Sequence, residues 1–189
     1  MAHNFYRPKS SVPPRNRGFT LIELLITVVI VAIMLAVAAP SFTALINSNA
    51  IASQTNYFSS AIGTARSEAI TRNTPVIMCK RNNLTCSNGV QWENGWIIFA
   101  DNDGDDALDS GEELRYMDAL RNDYTLRPST ATLNWLRFQP DGKVSSNLTT
   151  FSGVTFRLCA PDADTTESRA ISFNFVGQAR LAKGTASCP

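Results

Sequence analysis

The sequence predicts an α+β fold: one long N-terminal helix, membrane-spanning in its first half, packed on an antiparallel β-sheet head. Three observations lead there. From Phe19 to Ala39 the only ionisable side chain is Glu23. Apolar residues then recur at three- and four-residue steps to about Ile70, the period of a helix with one buried face. Beyond Pro75 the chain breaks into short β-branched and aromatic runs separated by Gly, Asn, Asp and Ser, the pattern of strands and turns. A length of 189 residues has room for one compact domain plus an appendage. The expected organisation is a leader over 1–18, a helix over 19–72 whose stretch 19–39 spans the membrane, and a β-rich head over 73–189.

Residues 1–17 are polar and contain Arg7, Lys9, Arg15 and Arg17 but no acid. The chain then turns abruptly apolar after Gly18. A secretory signal peptide places its small cleavage residue after the apolar stretch, which is discarded; here the small residue stands before it. Cleavage after Gly18 therefore retains the apolar helix. It leaves 13 basic against 16 acidic side chains, a net charge of −3, which argues against wholesale coating of nucleic acid without excluding a local basic patch.

At about 1.5 Å per residue the segment 19–39 is about 31 Å long, enough to cross a hydrocarbon core. Four basic residues precede it and the next, Arg66, comes long after it, so the positive-inside bias keeps the leader cytoplasmic and puts the head outside. A carboxylate within such a span costs about 2.5–3.5 kcal/mol. Once the chain is cut, the α-amino group of Phe19 lies four positions from Glu23 on the same helical face and offers a partner; the plainer alternative is a solvated Glu23 among the headgroups. Pro40 removes a backbone donor and predicts a kink or local melting, not a stop. Helical spacing resumes with Phe42, Leu45 and Ile46, then Tyr57, Phe58, Ala61, Ile62, Ala65 and Ala69, leaving Gln54, Ser59 and Glu68 on the wet side.

The run Gly18-Phe19-Thr20-Leu21-Ile22-Glu23 followed by an apolar helix resembles the type IV pilin and type II pseudopilin class. The resemblance implies a prepilin peptidase that cuts between Gly18 and Phe19 and methylates the new amino terminus. It also implies that Glu23 assists the docking of subunits.

Strands are expected over Val76–Cys79, Trp96–Ala100, Leu114–Met117, Trp135–Gln139, Val154–Leu158 and Ala170–Val176. Pro140-Asp141-Gly142 is a turn that joins Leu136–Gln139 to Lys143–Val144. Trp92, Trp96 and Trp135 are expected as core or sheet-packing residues. All four cysteines, Cys79, Cys86, Cys159 and Cys188, follow the apolar segment without the CxxC spacing of a zinc or redox site. Of three pairings, loop length favours Cys79–Cys86 and Cys159–Cys188, and the topology puts them in an oxidising compartment.

Ala65-Arg66-Ser67-Glu68-Ala69-Ile70 with Arg72 and Pro75-Val76, then Trp96-Ile97-Ile98-Phe99 before an Asp-rich loop and Glu113-Leu114-Arg115, resembles the GspH/FimT/FimU group of minor pilins and pseudopilins. Near the end, Phe175–Gly184 resembles the glycine-arginine motif by which FimT-type pilins bind DNA, which marks Arg180 and Lys183 as phosphate partners. Gln178 stands where that motif has a second basic residue. An ordinary solvated strand end is the alternative.

The loop from Asp101 to Glu112 matches an EF-hand at Asp101, Asp103, Asp105, Asp109 and Glu112, a ligand set for structural calcium. Against it, Asp106 occupies the position that needs glycine, and the flanks read as strands, so a solvated connection is the alternative. No cofactor is otherwise expected. The sequons Asn83-Leu84-Thr85 and Asn147-Leu148-Thr149 carry little information. The single histidine, His3, leaves with the leader, so no His-based triad or zinc site is expected and the chain reads as a non-enzyme. The expected function is that of a minor pilin in pilus assembly, in a tip or priming complex with other minor and major pilins. It would be held in the inner membrane with its head periplasmic, and reach the cell surface within the pilus. The alternatives are DNA capture for transformation and an H-type pseudopilin of type II secretion.

Overall fold

A computed structural model describes residues 18–121, 123–161, 166–184 and 187–188; the leader expected over 1–17, with its four basic side chains and His3, lies outside them. The chain divides into two compact units, Met1–Thr43 and Ala44–Pro189.

A single long helix, α1 (Leu21–Arg72), contributes to both units. It continues through residue 40, so the proline does not stop it. In the first unit every described apolar side chain is exposed, from Leu21 at 83% to Val37 at 70%. The segment is long and apolar enough to cross a membrane.

Among the described residues the second unit holds the rest of α1, a short 3-10 turn (Trp92–Asn94) and ten strands. The strands are β1 (Val76–Asn82), β2 (Thr85–Cys86), β3 (Trp96–Ala100), β4 (Glu113–Met117), β5 (Thr125–Pro128), β6 (Trp135–Phe138), β7 (Val144–Ser146), β8 (Gly153–Cys159), β9 (Arg169–Asn174) and β10 (Ala179–Lys183). They form two antiparallel sheets, ordered β4-β3-β1-β6-β7 with β2 on β1, and β10-β9-β8-β5. This corrects the expectation of one sheet. The six runs anticipated as strands are strands, two of them shorter: β6 ends at Phe138 and β9 at Asn174. Of the other four, β7 follows the expected Pro140-Asp141-Gly142 turn, and β2, β5 and β10 carry weak signals, because β2 has two residues, β5 ends in proline, and β10 (Ala-Arg-Leu-Ala-Lys) lacks β-branched and aromatic residues.

The continuous apolar runs of β1 and β3 follow from burial on both faces. Met78 and Ile98 enter the main core, while Ile77, Cys79, Ile97 and Phe99 form a second cluster on the opposite face, under Leu108 and Trp135. The main core gathers Ile51, Phe58, Ala61, Ile62, Ala65 and Ala69 of α1 between Leu136 and Phe138 of the first sheet and Phe156, Leu158 and Ile171 of the second. Phe58 is its hub, with ring centroids 5.1 Å from Trp96, 6.2 Å from Trp92 and 4.8 Å from Phe156. One helical side chain thus touches both sheets. Phe42, Leu45 and Ile46 continue the helical period but are exposed.

Candidate functional site

At the amino end, Thr20 and Glu23 close a reciprocal pair. The Glu23 N–H donates to the Thr20 hydroxyl at 3.3 Å, and the Thr20 N–H donates to a Glu23 carboxylate oxygen at 3.4 Å. This is a capping box, which satisfies two amide donors that an α-helix leaves open at its start. Glu23 stands in the first turn of α1, three positions past Thr20, with its backbone donor already committed and its carboxylate turned back toward the Thr20 amide. Gly18 and Phe19 are exposed and precede the helix, a placement a protease can reach.

The C-terminal candidates lie on β10. Arg180 is exposed and has no ion pair among the described residues. Lys183 differs, because its ammonium is 2.7 Å from the Glu167 carboxylate. That hydrogen bond is the main cause holding the Glu167 carboxyl below its ordinary value, helped by Ser48 and the Arg169 charge. Lys183 is therefore a partly neutralised cation and Arg180 an uncompensated one. The Gln178 side chain accepts from Asn174 at 3.2 Å, bracing the tight turn between β9 and β10.

One residue the sequence reading left unassigned organises that turn. Arg66 of α1 donates to the carbonyls of Gly177 at 2.9 Å and Val176 at 3.2 Å. Gly177 (φ +72°) and Gly142 (φ +83°) both adopt the left-handed region, and a Cβ on either would come within 3.2 Å and 3.0 Å of the guanidinium. The clue available in the sequence was an arginine four positions from Ile62 on the inward face of an otherwise small and apolar stripe.

In the Asp-rich loop, carboxylate oxygens of Asp101, Asp103 and Asp105 lie within 4.8 Å of one another. Asp109 and Glu112 are not part of that group. Glu112, buried, accepts the N–H groups of Asn102 at 2.7 Å and Asp109 at 3.2 Å, so it closes the loop on itself. Arg137 of β6 pairs with the buried Asp101 and, at 2.8 Å, with Asp106. Repulsion, from Asp105 first and then Asp103 and Glu112, together with some desolvation, raises the Asp109 carboxyl above its ordinary value. A guanidinium thus already balances two carboxylates of the loop.

The cysteines form two disulfides, Cys79–Cys86 with Cα atoms 5.6 Å apart and Cys159–Cys188 at 5.8 Å. The first crosses the β1–β2 hairpin; the second ties the end of β8 to the C-terminal segment. Both sequons are placed differently: Asn83 sits exposed at the hairpin tip, while the Asn147 amide is spent on the backbone of Thr132 and Asn134.

Comparison with known proteins agrees with this architecture. The prokaryotic N-terminal methylation motif matches residues 13–39. Type II transport protein GspH matches residues 54–177. No curated protein matches the chain. Among solved structures, the type IV minor pilin FimU of Pseudomonas aeruginosa strain PAO1 is 18% identical with a TM-score of 0.55, covering 74% of this chain and 93% of that one. A second crystal form of FimU gives 17% identity and a TM-score of 0.49, covering 74% and 95%. Matched over residues 54–177 and headed by the N-terminal methylation motif, the chain belongs to the GspH family, and its long helix on antiparallel sheets is the fold seen in FimU.

Proposed function

We propose that this chain is a minor pilin that takes part in type IV pilus assembly, entering the tip or priming complex below which the major subunit polymerises. The carrying observation is an exposed apolar helix, preceded by the exposed residues Gly18 and Phe19, that keeps one carboxylate at its first turn. On this reading the prepilin peptidase cuts between Gly18 and Phe19 and methylates Phe19. The helix holds the subunit in the inner membrane with the head periplasmic, and Glu23 then meets an amino terminus in the filament. Its partners are other minor and major pilins. Deleting the gene is expected to reduce surface pili and twitching sharply; normal piliation would remove the reading.

A second reading, DNA capture through Arg180 and Lys183, is favoured by the exposure of Arg180 and weakened by the pairing of Lys183 with Glu167. A gel shift of the full chain in detergent at two salt concentrations separates them, since no retardation at low salt rejects DNA capture. A place in type II secretion as an H-type pseudopilin uses the same anchor and is tested by whether deletion blocks secretion instead of piliation. In the Asp-rich loop, Arg137 serves on this reading as the resident counter-cation, with structural calcium as its rival.

A further inference from the structure

β10 is the last strand of its sheet, and its five residues are all exposed. Hydrogen bonds from the Asn174 N–H to the Gln178 carbonyl (3.3 Å) and from the Gly184 N–H to the Ser168 carbonyl (2.9 Å) fix the alternation. Even-numbered residues turn their backbone groups to β9, and those of Ala179, Leu181 and Lys183 point away from it. The other terminal strands are guarded in the ways that keep edges from pairing. β4 carries Glu113 and meets β3 through an irregularity at Ile98/Phe99, β5 ends in Pro128, and β7 gives its Val144 N–H to the Phe175 carbonyl at 2.7 Å. β10 contains no proline or bulge, and its one charge without an ion pair among the described residues is Arg180.

Between β10 and α1 lie two adjoining cavities. The larger, about 530 Å³, is bordered by Ser59, Gly63, Arg66 and Arg180; the smaller, about 210 Å³, by Ala52, Asn56 and Leu181. Leu181 shares a face with the buried Ile171 opposite it yet is 53% exposed, because nothing among the described residues covers the strand on that side. No described carboxylate lines either cavity, although the chain beyond residue 18 is acidic overall. The Arg66 Nε and the Ser59 hydroxyl are buried there without a hydrogen-bond partner among the described residues. The groove combines an open strand edge, a half-covered leucine and an excess of donors.

We propose that β10 and this groove receive an extended, carboxylate-bearing segment of a neighbouring pilin subunit, which adds to the sheet as a further strand and sets its acid against Arg180. The inference rests on the assembly reading above. Strand addition takes its affinity from main-chain hydrogen bonds and its selectivity from alternate side chains, which the outward groups of 179, 181 and 183 and the pocket at Leu181 supply. Nucleic acid offers neither a strand to pair nor an apolar side chain for Leu181, and charge complementarity favours an acidic protein partner.

The test uses the full chain in piliated cells, with a photoreactive residue placed at position 181 and, separately, at position 30 in the apolar helix. A cross-link from 181 to another pilin subunit, mapped to an extended Asp- or Glu-bearing segment and reduced about tenfold by Arg180→Glu but kept by Arg180→Lys, is the expected result. Cross-linking to pilins from position 30 but not from 181 overturns the groove proposal and leaves the assembly reading standing. Absence of both overturns the assembly reading and the proposal with it. A cross-link from 181 to DNA, to lipid or to a segment without a carboxylate also overturns the proposal.

Discussion

The guanidinium of Arg66, near the end of α1, donates at 2.9 Å to the carbonyl of Gly177, 111 residues further along the chain. That contact joins the helix to the β9–β10 turn, and Gly142 brings the β6–β7 turn against the same side chain. Arg66→Ala strands two carbonyls and is expected to cost about 1–3 kcal/mol, read by urea denaturation. Gly177→Ala is expected to cost a similar about 1–3 kcal/mol, because φ is +72° there and the new Cβ would meet the Gly142 carbonyl at 2.8 Å. If both variants unfold at the wild-type midpoint, the strut carries no stability.

Phe58 touches aromatic rings from both sheets. Truncation to alanine removes a helical side chain that touches both, so Phe58→Ala is expected to cost about 3–5 kcal/mol. Calorimetry or denaturant titration checks this, and a loss below about 1 kcal/mol would mean that the two sheets pack without it.

Asp101 is buried beside Arg137. Breaking a buried ion pair from one side leaves an uncompensated charge, so Arg137→Met is expected to cost about 3–5 kcal/mol. With the guanidinium in place, millimolar calcium is expected to leave the wild-type melting temperature unchanged. A calcium-dependent rise that EDTA reverses would instead make the loop a metal site.

Lys80 is buried on β1, its ammonium donating to the Asn88 carbonyl at 3.2 Å, and desolvation lowers its pKa from 10.5. Between the folded value and 10.5 the unfolded chain binds more protons, so stability is expected to rise with pH through that window. Below it the cost of the buried charge is fully present. Lys80→Met is expected to flatten this alkaline rise without lowering stability at neutral pH. Melting curves from pH 7 to about pH 10 decide it.

Much of this was legible in the chain. The apolar run, its lone Glu23 and the small-residue stripe of Ala61, Ala65 and Ala69 each carry a local period, and local periods need no knowledge of the rest of the molecule. β1 and β3 are visible because burial on both faces makes them uninterrupted hydrophobic runs. What stayed hidden depends on partners distant in sequence. Two sheets instead of one follow from which strands pair, and β10 is held by its register with β9, not by its composition. Arg66 resembles any solvated helical arginine until Gly177 and Gly142 are brought to it. Lys183 resembles Arg180 until Glu167 is brought into an ion pair with it.

The bare flank of α1 between Leu21 and Val37 has an energetic corollary. Lipid tails are as oily as leucine, so moving such a rod from bilayer into a bundle of like rods exchanges one greasy neighbour for another with little hydrophobic gain. Growth and withdrawal of a fibre made this way would run close to thermal balance, and small polar terms such as a buried carboxylate finding an ammonium would set its direction.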